Sequence, residues 1–277
     1  MIKILIDSSS DSKKEEGIFD YFMPISVNID GNEYKDGVDI NADKFYSLLK
    51  WAKEFPKTSQ PSPNEFVEIF EKVKEDGDEL IYLCLSSALS GTYQGALIAK
   101  EMVDYDGIYV IDTKTATRMI GVIAKYAREL IDKGLGAREI AERCDEFKSR
   151  VKAIAGVDTL EYLYKGGRLS KTSATVGKIA DIKPIISVSK EGKVEVKGKC
   201  IGKGRAMQFI VDKLSSCNID KNFPIHSLYT YGEENCALLE ERLKEKGFEV
   251  HSRLQIGSTI GAHTGPGVYA VMFVSEK

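Results

Sequence analysis

Three stretches gather hydroxyl side chains and glycines where a strand should give way to a helix. They are Thr58-Ser59-Gln60-Pro61-Ser62, Ser86-Ser87-Ala88-Leu89-Ser90-Gly91-Thr92, and IGSTIGAHTGPG at 256–267. In an open α/β sheet the C-terminal strand ends are where ligands sit. A helix N-terminus there offers free N–H groups and the positive end of its dipole, which suits an anion. Ser90 is placed to cap its helix, Gly91 to let the backbone approach closely, and Thr58 and Ser59 to add hydrogen bonds. The expected ligand head is a carboxylate or phosphate held without a full charge partner. Plain N-capping, the commonest use of Ser and Thr at these positions, is the competing reading.

Ser90 and His263 together also allow a hydrolase. LSGTY, however, lacks the G-x-S-x-G elbow, and no Asp is tied to the His by sequence. His263, set among small residues in a Gly-rich loop, is read as a binding or polarising group. Arg168 follows two glycines in YKGGRLS and should project from a tight turn, suited to a phosphate or an acidic partner. No G-x-x-x-x-G-K-[ST] is present, and GKGRAMQ at 202–208 lacks the G-x-G-x-x-G spacing.

The elements that must position these loops alternate. Ile2–Ile6 reads as a buried strand ending in DSSSD, and MPISVNIDGNEYKDG as two extended segments about the turn Asp30-Gly31-Asn32. Phe45, Leu48, Leu49 and Ala52 share a helical face. Ser62 and Glu65 form a capping box, with Pro63 at the first helical position and Phe66, Ile69, Phe70 and Val73 on one face behind it. Strands follow at 79–85 and 107–112, each leading into a helix, and a second helix carries Ile140, Cys144 and Phe147. Such alternation implies a parallel sheet with helices on both faces. After about residue 150 the pattern becomes VKAIAGV, a short helix in TLEYLYKGG, and two strands about a Glu-Gly turn in KPIISVSKEGKVEV. Helices near 203–216 and 233–246 and strands at 226–230, 248–256 and 268–274 complete it. The expected fold is α/β in two domains: residues 1–150 as a three-layer α/β/α unit with a parallel sheet, and 151–277 as a two-layer unit with a mixed sheet.

A length of 277 residues fits two domains, and 43% hydrophobic with 29% charged residues is an ordinary globular balance. A net charge of −3 excludes a chain-wide nucleic-acid binder, although Lys165 to Arg205 holds eleven Lys and Arg against three acidic residues, suited to steering an acidic partner. No apolar run is long enough to span a membrane. Five scattered cysteines without a C-x-x-C pair fit a reducing cytoplasm, and a total of three histidines argues against a His-rich metal site.

Seven motifs occur in order along nearly the whole chain: DSSSD, TSQPSP, SSALSGTYQ, IDTKTAT, LYKGGRLS, KPII and GAHTGPG. Together they resemble the DegV family of bacterial fatty-acid-binding proteins. The resemblance implies two α/β domains with a long-chain fatty acid buried between them or within one. Carried onto this sequence, the carboxylate sites are Thr58, Ser59, Ser90, Gly91 and Thr92, with His263 and Thr264 flanking the head group. Arg168 and Arg205 would face a separate ATP-using fatty acid kinase, which makes an acyl-phosphate for phospholipid synthesis. The carrier itself would have no catalytic residue, cofactor or metal, with transient membrane contact compatible with that role. A small-molecule ester or phosphate hydrolase using Ser90 and His263 is the alternative. Neither acyl-chain preference nor oligomeric state is written in the sequence.

Overall fold

Residues that alternate sides along an apolar strand need cover on both faces, and the first half of the chain supplies it. The computed structural model describes residues 1–174 and 181–276, so Lys178 of the basic stretch lies outside the described residues. The chain begins with β1 (Ile2–Asp7), β2 (Tyr21–Met23), β3 (Ser26–Ile29), β4 (Asn32–Lys35), α1 (Ala42–Leu49) and β5 (Lys57–Ser59). Then come α2 (Pro63–Glu75), β6 (Glu79–Cys84), α3 (Thr92–Val103), β7 (Ile108–Asp112), α4 (Arg118–Asp132) and α5 (Ala137–Phe147).

β2, β1, β6 and β7 lie in that order as an all-parallel sheet. Leu5, Leu80, Tyr82 and Cys84 cluster with Phe66 and Phe70 of α2 and Ala96 and Ala99 of α3. Ile4, Ile6, Ile81 and Leu83 cluster instead with Ile120 and Ile123 of α4 and Ile140 of α5. That alternation makes the expected three layers. The capping box of α2 is present, Ser62 N–H donating to Glu65 Oε2 at 2.8 Å. Asp30 and Gly31 both take positive φ, as the tight β3–β4 turn requires. Lys57–Ser59, which reads as loop in the sequence, forms β5 and pairs antiparallel with β3 in a separate sheet of order β4-β3-β5. A strand of three residues is too short to show alternation.

The second half runs β8 (Val151–Gly156), α6 (Glu161–Lys165), α7 (Lys171–Ala174), β9 (Ile182–Val188), β10 (Val194–Ile201) and α8 (Lys203–Ser215). β11 (Ile225–Tyr229), α9 (Glu234–Glu245), β12 (Val250–Gln255), α10 (Ser258–Thr264) and β13 (Tyr269–Val274) follow. The strands form one mixed sheet, β10-β9-β8-β13-β11-β12, in which the β11–β12 pair alone is parallel. On one face Ile154, Ile185, Val271 and Phe273 pack with Met207, Ile210 and Leu214 of α8 and Leu239 and Leu243 of α9. On the other face Ile186, Leu228, Ala270 and Met272 share a core with Met119, Ile120 and Ile123 of α4. Among the described residues no helix is long and apolar enough to cross a membrane.

DSSSD begins with a fully buried Asp7, whose carboxylate accepts from the Ser9 hydroxyl and amide, from the Tyr82 hydroxyl at 3.0 Å and from the Leu85 amide at 3.0 Å. Burial still raises the pKa of Asp7. Tyr82→Phe removes one donor from this buried acceptor. It is expected to lower the unfolding free energy by about 1–3 kcal/mol, read as a lower urea midpoint at unchanged slope. A midpoint equal to the parent's would mean that the hydroxyl contributes nothing.

Candidate functional site

The face of the mixed sheet that meets α4 is not filled evenly. Across β9, β8, β13 and β11 one row of cross-strand partners reads Ile186, Ala155, Ala270, Leu228. The two central strands thus present alanines between larger side chains, and Ala153 lies two residues along β8 on the same face. Above them are Ile25, Leu85, Ala116 and Met119, and the space between is a cavity. About 110 Å³ of it admits the centre of a water-sized sphere. It is a narrow slot rather than a chamber.

The polar residues of this lining are Thr58, Ser90, Thr117, Arg168, Ser187, Thr259, His263 and Thr264. β5 brings Thr58, the loop before α3 brings Ser90, the Gly166-Gly167 turn after α6 brings Arg168, and α10 brings His263 and Thr264. Thr58 Oγ1 and His263 Nε2 share a hydrogen bond of 2.8 Å. The other ring nitrogen, Nδ1, is buried without a hydrogen-bond partner among the described residues. A Cβ on Gly166 would strike it, so the glycine there makes room for the imidazole. Burial first, and then the Arg168 charge, push the His263 pKa down to about 3. Ser90 Oγ lies 2.8 Å from Thr92 Oγ1 and accepts from the Thr92 amide at 3.3 Å.

Several expected residues sit elsewhere or differently. Ser59 is exposed and absent from the lining, because successive strand residues point to opposite faces and Thr58 takes the inward one. Gly91, not Ser90, is the N-cap of α3. Gly91 is exposed and a Cβ on it would run into the Gln60 side chain, so its role is to let the first two hydroxyl loops pack together. Thr92 is buried and spends its hydroxyl on Ser90. Arg168 does not project into solvent. It is half-buried, its Nε donating to Leu89 O at 2.8 Å and its Nη1 to Gly166 O, and burial lowers its pKa. The site therefore carries a guanidinium, where the sequence suggested a head group held without a full charge partner. Arg205 is exposed in the first turn of α8, away from the slot. Ser90 and His263 share the lining but not a hydrogen bond, and no described carboxylate orients the imidazole.

The third hydroxyl stretch, expected as a loop, folds as α10 because partners from the first half hold its start. Asp11 accepts from Gly257 N–H at 2.9 Å and from the Thr117 hydroxyl at 2.5 Å. Asp36 accepts from the Thr259 amide at 2.9 Å and hydroxyl at 2.7 Å. Tyr46 donates to Ile256 O at 3.0 Å. Burial and the nearby Asp36 charge push Asp11 up to about 8, despite the Thr117 bond that opposes them, and burial raises Asp36 as well. Thr117 lines the slot at φ 55, an unusual conformation for a β-branched residue, and its bond to Asp11 helps hold it there. Sequence reasoning missed Thr117, Thr259 and the alanine floor. The signal present was the alternation of Ala153 and Ala155 along β8.

The family model described as uncharacterised protein, DegV family, matches residues 1–276. A DegV domain-containing protein of Caldanaerobacter subterraneus subsp. tengcongensis is 38% identical over 278 residues, covering 98% of each chain. Among solved structures, a Thermus thermophilus DegV family protein described by its fatty acid binding superposes with a TM-score of 0.88 at 28% identity, over 99% of both chains. A stearic acid-binding protein of Eubacterium ventriosum gives 0.87 at 27% identity, over 99% of this chain and 98% of that one.

With its pKa near 3, His263 is neutral through the physiological range. Its imidazole resonances are expected to stay fixed between pH 5 and 8. Because the folded value lies below the unfolded one of about 6.5, the unfolded chain binds the extra proton and stability falls as pH drops from about 6.5 towards 3. His263→Gln should make that fall shallower, leaving the part due to His226, whose pKa burial likewise pushes down to about 4. Titration of the parent imidazole near pH 6.5 would contradict its burial.

Proposed function

The chain belongs to the DegV family, and we propose that it binds a long-chain fatty acid with the tail in the slot and the carboxylate at the Thr58–Ser90–His263 end. The observation that carries this reading is a largely apolar slot into which the hydrogen-bonded Thr58–His263 pair and Arg168, a cation without an ion-pair partner among the described residues, both open. Burying a sixteen-carbon tail at about 0.8 kcal/mol per CH₂ supplies on the order of 10 kcal/mol before ordering is subtracted. The tail provides the affinity and the polar end the orientation. A carboxylate selects the tautomer in which His263 Nε2–H donates to Thr58 Oγ1, since the Thr58 hydroxyl hydrogen is then free for the anion. Ser90 and Thr264 add hydroxyls, and Arg168, with two of its donors already on backbone carbonyls, adds charge without closing a bidentate clamp.

The same geometry supports a carrier that presents its cargo to a separate ATP-using fatty acid kinase in the cytoplasm, performing no chemistry itself. Arg168 sits at the head-group end, and Arg205, exposed on α8, is the docking residue that leaves the slot untouched. A hydrolase using Ser90 and His263 has less support, since each makes its hydrogen bond to a different residue.

Lipid extracted from the purified protein under denaturing conditions and identified by mass spectrometry tests the first claim; no co-purified lipid and no uptake of added fatty acid would overturn it. Thr58→Ala and Ser90→Ala are each expected to weaken fatty-acid binding by about 1.5–3 kcal/mol, the worth of a hydrogen bond to a charged group. Unchanged affinity in the double variant would remove the head group from this end. In a reconstituted kinase assay Arg205→Ala should keep lipid affinity and slow acyl-phosphate formation, whereas Arg168→Ala should lower both.

A further inference from the structure

On the far side of the mixed sheet from the slot lies a second cluster of cations, which fatty-acid binding leaves unused. β8 turns Ala153 and Ala155 towards the slot, so Lys152 and Ile154 point to the α8 side. Lys152 there is half-buried. With Lys190 of the β9–β10 turn, Lys197 of β10 and Lys213 of α8 it borders a cleft in which about 330 Å³ admits the centre of a water-sized sphere. Glu195 is the lone carboxylate in this lining, and it pairs with Lys197 at 2.6 Å. Among the described residues, Lys152, Lys190 and Lys213 form no ion pair. Burial, then the charges of Lys190 and Lys197, lower the pKa of Lys152, and Glu195 is the weakest of its influences.

Local backbone geometry contributes to this clustering. Lys197 is the residue skipped where the β10–β9 register shifts between Val196 and Gly198, and a bulge of this kind re-aims a side chain. Gly198 beside it packs against the Phe209 ring, which a Cβ would approach to 3.0 Å, and the Lys213 ammonium lies 5.6 Å from the centre of that same ring. Three ammonium groups without an ion-pair partner among the described residues repel one another around a partly desolvated cleft, and a multiply charged anion relieves that repulsion. Lysines act as point charges towards phosphoryl oxygens.

We propose that this cleft binds a phosphorylated ligand carrying at least two negative charges, with Lys152 at its base and Lys190 and Lys213 at its rim. Such a group belongs either to a free phosphate compound or to a lipid headgroup. The cleft shares Ala153, Ser187 and Val188 with the lining of the slot, but none of its lysines lines the slot.

Calorimetric titration of the full chain with sodium pyrophosphate at low salt tests it, with thermal unfolding alongside. Saturable one-to-one binding that weakens with salt, and a raised Tm, are expected. Lys152→Met, which keeps the apolar stem, and Lys190→Glu on the exposed rim should each weaken binding at least tenfold, whereas Lys125→Ala, outside the cleft, should not. Phosphatidic acid vesicles, whose phosphomonoester headgroup can carry two charges, would assign the headgroup if they compete with pyrophosphate, and pyrophosphate binding without such competition would assign the free compound. No saturable pyrophosphate binding, vesicle binding alone, or affinity indifferent to both cleft substitutions would overturn the proposal. Fatty-acid affinity measured in Lys190→Glu is expected to match the parent, so the two readings fail separately.

Discussion

One face of the six-stranded sheet has to be covered from the other half of the chain, and both the slot and its polar end depend on how that contact is made. α8 and α9 bury the first face in the usual way, with Ile, Leu and Met filling the space against Ile154, Ile185 and Phe273. The opposite face is left to α4, whose Met119, Ile120 and Ile123 belong to the same core as Leu228 and Met272. Where the two central strands carry Ala155 and Ala270, no side chain reaches down to meet the helix. A void remains because the large residues flanking it keep the layers apart.

Holding the polar end in place takes a different device. α10 has seven residues and a glycine-rich sequence, a poor candidate for an independent helix. Asp11, Asp36 and Tyr46, all from the first half, hold its start and the strand end before it. Two carboxylates in one buried place are unfavourable in themselves, and their raised pKa values record that. What they provide is position: the helix that carries His263 can sit in one orientation only, with the imidazole against Thr58. The arrangement is a source of geometry rather than of net stability.

The parallel sheet, its two helical layers and the capping box of α2 were legible because each is a local pattern repeated over several residues. Ser90, Thr58 and His263 were legible as polar groups at strand-to-helix junctions. β5 was not, since three residues carry no period, nor was α10, whose start is satisfied by carboxylates more than two hundred residues away in sequence. The inward choice of Thr58 over Ser59 needed the strand. Arg168 illustrates a different gap: a glycine pair foretold the turn, but the direction of the side chain depends on the Leu89 and Gly166 carbonyls that receive it.

The two ends of the slot share no residue. Hydroxyls and the imidazole come from β5, the loop before α3 and α10, while the floor comes from β8, β9, β11 and β13. Floor positions can therefore drift in size, lengthening or bending the space, without disturbing a single donor at the other end. The size of the space and the placement of the donors can thus vary independently of one another.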